Sequence, residues 1–139
     1  MRISEEQYQM FLNKKSGKTY LQEQKANKYK NVKVIYNGKV FDSIKEKNRY
    51  LWLKVLEEEG KISELELQKK FLLQEEFTYN GKKERPIYYI VDFYYFDKKL
   101  NCYIAEDVKS EITRTDKVYR LKKKMFEYQY ANIVFKEVL

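Results

Sequence analysis

The chain contains no histidine. That absence excludes the Ser-His-Asp and Cys-His triads, and every nuclease chemistry in which His is obligatory as base, metal ligand or nucleophile. One cysteine, Cys102, allows neither an internal disulfide nor a zinc cluster, and it reads as a small core residue in mid-strand. Only four glycines are present, and they are scattered, so there is no Gly-rich phosphate loop. No apolar run approaches the ~20 residues of a membrane span, and the N-terminus has no apolar signal core. A cytoplasmic protein without membrane attachment or organic cofactor is therefore expected. Any hydrolysis must rest on carboxylates, lysine and hard metal ions.

Charge and aromatic side chains are plentiful. The 139 residues carry a formal net charge of +8 with a pI near 9.3, and 14 are tyrosine. That length suits a single core. A basic balance points to a polyanionic partner, most often nucleic acid, although a Lys-rich surface alone gives the same number.

Along the chain, Ser4 caps a short helix through Leu12, and residues 1–33 hold eight basic residues against three acids. Residues 1–30 read as a basic, weakly structured arm that either orders on DNA or stays solvated. Val32, Val34 and Tyr36 alternate up to Asn37-Gly38, a type I′ turn, and Val40-Phe41 returns as a hairpin. Ser43 and Glu46 form a capping-box pattern opening a helix that Gly60 stops. In that helix Glu46 shares a face with Tyr50 and Leu53. Lys61 to Phe77 is strand-like, with Gln68 near its middle. Ile87 to Phe96 is aromatic and β-branched on both faces, as a central strand requires. Asp97-Lys98-Lys99 turns the chain, and Leu100 to Lys109 pairs back antiparallel. Arg114 to Tyr130 reads as a second helix with a core stripe of Val118, Leu121, Met125 and Tyr128. Its other face is a basic ridge in which Arg114, Lys117, Arg120 and Lys124 bind phosphate or are merely solvated. Ile133 to Phe135 closes the sheet. The whole is an α+β or α/β chain, a mixed sheet flanked by helices and preceded by the hairpin.

Charges interrupt the two central strands: Asp92 on the first, then Glu106, Asp107 and Lys109 on the second. A carboxylate in a core strand is costly unless something pairs with it. Period two places Asp107 and Lys109 on one face and Glu106 on the other. Asp92 and Asp107 on paired strands can hold one ion between them, and Lys109 reaches the same side. Glu46 from the helix start adds a third acid, for which the capping box is the competing explanation. Mg²⁺ prefers oxygen ligands and keeps several waters, so two or three carboxylates suffice, and Mn²⁺ can substitute. Gln68 is a candidate substrate or metal-shell residue, or an ordinary polar residue of a strand.

Glu46, Asp92 and Asp107-Val108-Lys109, in that order, resemble the PD-(D/E)XK nuclease superfamily. The resemblance sharpens to one phage and prophage family, DUF1064, on F-D-S-x-x-E-x-x-x-Y (Phe41–Tyr50), L-E-L-Q (Leu65–Gln68), Y-I-x-D-F (Tyr89–Phe93), E-D-V-K (Glu106–Lys109) and the closing L-K-x-K and F-E-Y (Leu121–Lys124, Phe126–Tyr128). Two departures stand out: Val91 replaces the Pro of PD, and Lys69 stands where a Pro often follows the Gln. The resemblance implies a restriction-endonuclease-like αβββαβ core over residues 31–139. It also implies Mg²⁺-dependent cleavage of DNA, structure-selective as in Holliday-junction resolvases, in a phage- or prophage-encoded protein of a bacterial host. A resolvase presents two sites through a homodimer, for which the hairpin edge or the N-terminal arm is available. The competing reading keeps the fold and loses the cutting: a DNA- or protein-binding module, such as an inhibitor of a host defence nuclease.

Overall fold

The computed structural model describes residues 32–139 and, for the backbone alone, the pair Tyr20–Leu21. The expected Ser4–Leu12 helix and most of the basic arm lie outside the described residues. By its contacts the chain divides into two compact units, Met1–Glu58 and Glu59–Leu139.

In the first unit, strands β1 (Tyr20–Leu21), β2 (Val34–Tyr36) and β3 (Lys39–Phe41) form an antiparallel sheet in that order, followed by helix α1 (Ile44–Glu58). The two-residue loop between β2 and β3 has φ +48° at Asn37 and +73° at Gly38. Positive φ at both central positions is what a type I′ turn demands. Ser43 caps α1, its Oγ accepting the Glu46 N–H at 3.0 Å. Glu46, Tyr50 and Leu53 are the buried residues of the helix, the grouping that the sequence spacing gives.

The second unit holds β4 (Ile62–Gln74), β5 (Phe77–Tyr79), β6 (Lys82–Glu84), β7 (Ile87–Asp97), β8 (Cys102–Val108), helices α2 (Glu111–Arg114) and α3 (Lys117–Gln129), and β9 (Val134–Val138). Its main sheet runs β4-β7-β8-β9, antiparallel except for the parallel β8–β9 pair. The class is α+β with a mixed central sheet. β5 and β6 form a separate hairpin, inserted between β4 and β7, on the Asn80-Gly81 turn. β7 is an inner strand, as its apolar character on both faces requires.

Helix α3 packs on this sheet through aromatic rings. Phe126, fully buried, meets Phe71 edge-on at 4.9 Å between centroids and Phe135 at 5.7 Å, in a core shared with Tyr89, Val91, Ala105 and Tyr119. This corrects the expected stripe. Val118 is 62% exposed, Leu121 60% and Tyr128 88%, whereas Met125 is partly buried. Two sets of large side chains sit at helical spacing on neighbouring faces, and the set with more aromatic area takes the interior. The expected single helix from Arg114 is also broken: Thr115 ends α2, and Asp116 Oδ1 caps α3 by accepting the N–H groups of Val118 and Tyr119 at 2.8 and 3.1 Å. The closing strand runs past Phe135 to Val138, which brings Glu137 into register with Asp107.

The packing makes a direct contrast between two substitutions in α3. Phe126→Ala is expected to cost about 3–5 kcal/mol, and Leu121→Ala to stay within roughly 0.5 kcal/mol. Urea denaturation of both variants checks this; equal losses would put Leu121 back in the core.

Candidate metal centre

The site lies where the β7–β8 ladder stops. Regular pairing ends at Phe93 opposite Glu106. At the next rung the side chains of two aspartates replace the backbone partners. The Asp92 N–H donates to Asp107 Oδ1 at 3.0 Å, and the Val108 N–H donates to Asp92 Oδ2 at 2.8 Å. Each carboxylate thus ties itself to the strand that carries the other.

The neighbouring strand contributes Gln68. The β4–β7 register skips from Leu67↔Phe93 to Lys69↔Val91, and the residue between them, Gln68, has φ +52°. Its Nε2 donates to Asp92 Oδ1 at 3.2 Å. The left-handed region is unfavourable for a residue with a Cβ, so the surrounding ladder holds Gln68 there. From below, the Tyr89 hydroxyl donates to Asp107 Oδ2. Tyr89 is 4% exposed and belongs to the α3 core, so the packing that fixes its ring also fixes one oxygen of Asp107.

Lys109 completes the cluster. Its Nζ lies 3.4 Å from Asp107 Oδ2 and 4.6 Å from the centre of the Tyr119 ring, and its backbone N–H donates to the Val138 carbonyl at 2.9 Å. Tyr119 in turn donates through its hydroxyl to Glu137 Oε1 at 2.5 Å. Arg114 Nε stands 3.1 Å from Glu137 Oε2, and Lys123 Nζ 3.7 Å from Oε1.

The acid that shares the strand with Asp107 is placed elsewhere. Glu106 is fully buried, accepts from the Tyr95 hydroxyl at 2.5 Å and lies 3.9 Å from Lys136 Nζ. Strand alternation sends it to the face opposite Asp107. Of the residues expected to share a site, Gln68, Asp92, Asp107 and Lys109 meet; Glu46 belongs to the first unit. Of the basic ridge, Arg114, Arg120 and Lys124 line one cleft together with Lys123, and Lys117 is not among its lining residues. Tyr89, Tyr119, Lys123 and Glu137 escaped the sequence reading. Glu137 became findable only once β9 ran past Phe135; nothing in the local sequence of the two tyrosines marks their partners.

Burial dominates the electrostatics. It lifts the Asp92 carboxyl, with the nearby Asp107 charge as the second cause, to about 6 against the bonds from Val108 and Gln68. Burial raises Asp107 too, opposed chiefly by Lys109 and the Tyr89 bond. The Tyr89 hydroxyl is pushed well above its ordinary range, so it stays a donor. Two acids in one partly dry site, with a single lysine in ion-pair range among the described residues, are short of positive charge. Each of their four oxygens accepts a hydrogen bond from the chain, and Asp107 Oδ2 also faces Lys109 Nζ; lone pairs remain on the other three for a further ligand. Such hard oxygen donors fit a Mg²⁺ or Mn²⁺ ion bound through one or two carboxylates and otherwise by water. Among the described residues no group of three or more His, Cys, Asp or Glu is placed to hold a metal.

The chain is therefore an α+β protein with a buried acidic pair and a lysine at the point where two central strands part. Residues 26–138 match the model of DUF1064, a family described as a protein of unknown function, and the chain belongs to that family. No curated protein and no solved structure matches it.

A raised carboxyl gives a defined pH dependence. The folded chain holds the Asp92 proton to higher pH than the unfolded chain, so stability falls as pH climbs from the ordinary carboxyl range to about 6 and the full penalty applies above it. In metal-free buffer Asp92→Asn is expected to be more stable than wild type at pH 8, by on the order of 2 kcal/mol, and to lose that advantage near pH 4. Urea melts at the two pH values test it. An ion pair that stabilises the fold would give a destabilised variant at pH 8.

Proposed function

We propose that this chain is a divalent-metal-dependent endonuclease that hydrolyses phosphodiester bonds in DNA, built on the plan of the PD-(D/E)XK superfamily. The observation that carries the reading is the meeting of Asp92, Asp107 and Lys109, with Lys109 Nζ 3.4 Å from Asp107 and held over the ring of Tyr119. The element order α1, β4, β7, β8, α3, β9 supports it, being the αβββαβ order of that superfamily. The net charge of +8 supports a polyanionic substrate.

Asp92 and Asp107 would hold the ion, and the ion would supply Lewis-acid polarisation of the phosphate. The chain's own residues account for the rest. The bonds from Tyr89, Val108 and Gln68 fix the two carboxylates before substrate arrives, so little reorganisation is left for the reaction. Lys109 orients the attacking water and donates to the charge that grows on the phosphate oxygens. The water oxygen bonds to phosphorus as the P–O bond to the departing strand end breaks; the leaving oxygen keeps that electron pair and takes a proton from solvent, and the attacking water's proton passes to solvent. Arg114, Arg120 and Lys124, with Lys117 at the helix start, contact the DNA backbone. Branched DNA such as a Holliday junction is the substrate the resemblance suggests, cut by a homodimer in a bacterial cytoplasm.

A second reading, binding of DNA or of a host defence nuclease without cleavage, is favoured by one observation: only two acids converge among the described residues. Cleavage of plasmid and of a four-way junction separates the two. With Mg²⁺ or Mn²⁺, the wild type is expected to cut, and Asp92→Ala, Asp107→Ala and Lys109→Ala to lose at least about 100-fold in rate. EDTA is expected to abolish activity. Tight DNA binding with no cutting under either ion would establish the binding module, and full activity of Lys109→Ala would remove the role given to that lysine.

A further inference from the structure

Beside the acidic pair lies a second feature, to which the hydrolytic reading gives only general contact with the DNA backbone. A cleft of about 520 Å³ opens between α2, α3 and β9, with Arg114, Arg120, Lys123 and Lys124 on its walls and Glu137 at its base. The parallel register sets Glu137 directly opposite Asp107. The cleft is thus walled in part by the strand next to the one that carries Asp107, about 4.8 Å away between backbones. Tyr119 joins the two places, its ring against Lys109 and its hydroxyl on Glu137.

The four cations differ in their commitments. Arg114 and Lys123 grip Glu137, and Lys123 also reaches Glu127 at 3.6 Å. Glu137 is held below the ordinary carboxylate range, first by the Tyr119 bond and then by these cations. It acts as a strut that fixes Arg114 and Lys123 at the cleft wall. Arg120 and Lys124 make no ion pair among the described residues; Arg120 is exposed, and so is Lys124. The cleft's four cations exceed its three acids, Glu111, Glu127 and Glu137, by one, the charge of one phosphodiester, and arginine adds planar, paired donors suited to phosphate oxygens.

We propose that this cleft is a second phosphate subsite, which takes the phosphate next to the scissile one along the same nucleic-acid strand. The inference rests on the nuclease reading for the identity of the first phosphate, but the subsite itself is a binding site and shows without cleavage. The acidic pair and the Glu137 wall of the cleft stand on neighbouring strands, so one nucleic-acid strand can reach both. Lys109 and Tyr119 lie between the two positions, so a strand held at both is presented to the acids in one direction.

The test is binding of a fluorescein-labelled DNA duplex by the full chain in EDTA, followed by anisotropy at a series of salt concentrations. The double variant Arg120→Gln/Lys124→Gln is compared with Lys98→Gln/Lys99→Gln, which removes two exposed lysines at the far end of the β7–β8 hairpin. The cleft variant is expected to bind about tenfold more weakly near 0.1 M salt and to lower the slope of log Kd against log salt by about 1, the control to leave both close to wild type. Both pairs are on the surface, so an unchanged melting temperature shows that the fold is intact. A cleft variant that matches the control overturns the subsite. If the cleft variant loses affinity as expected but wild type cuts no DNA with Mg²⁺ or Mn²⁺, the subsite stands and the nuclease reading falls. If wild type cuts and the cleft variant binds and cuts as well as wild type, the reverse holds.

Discussion

The exchange of bonds between Asp92 and Asp107 is the constraint on which the rest of the second unit depends. Two strands that could have continued their ladder instead give a rung to carboxylates, the Asp92 N–H bonding Asp107 and the Val108 N–H bonding Asp92. Burying two acids side by side is unfavourable, as the raised position of both carboxyls shows. The donors that compensate come from every neighbouring element: Gln68 from β4, Tyr89 from the α3 core and Lys109 from the end of β8. Core and site are not separable here. Tyr89 packs against Phe126 at 5.8 Å between centroids while its hydroxyl holds Asp107. A site that costs stability is retained against that cost, which is the usual mark of a place selected for chemistry.

Tyrosine takes the part that histidine often plays beside a buried acid. Four carboxylates of the main sheet each accept a tyrosine hydroxyl: Asp107 from Tyr89, Glu106 from Tyr95, Glu137 from Tyr119 and, on the exposed side, Glu64 from Tyr103. A phenol offers one donor that does not ionise in the physiological range, so these bonds persist where an imidazole would titrate. The raised hydroxyls of Tyr89 and Tyr119 strengthen that role. Each of these acids near the site thus has a neutral donor, to which Lys109 adds charge at Asp107, Lys136 at Glu106, and Arg114 and Lys123 at Glu137.

Much of this was legible in the residues. The Asn37-Gly38 turn, the Ser43 cap and the inner position of β7 follow from local chemistry that the fold has no reason to override. The separation of Asp107 and Lys109 from Glu106 follows from strand alternation alone. What stayed hidden depended on tertiary choice. In α3 a turn of about 100° per residue puts Tyr119 and Phe126 on a face adjoining that of Val118 and Leu121, and sequence spacing could not say which face the sheet would take. Asp116 was a readable N-cap that the basic run around it obscured. The bonds of Tyr89 and Tyr119 reach 18 residues along the chain, to partners set only by strand register. Gln68 was legible as a polar residue in mid-strand; its positive φ was not.

The account stands or falls on whether Asp92 and Asp107 share a cation. The most direct measurement is a crystal of the full chain soaked in Mn²⁺, with anomalous data collected at the manganese edge. The account predicts one strong peak between the two carboxylates, bonded to an oxygen of each, and its loss in Asp92→Asn. Manganese bound elsewhere, with the acidic pair bridged only by the Lys109 amine and water, would contradict it.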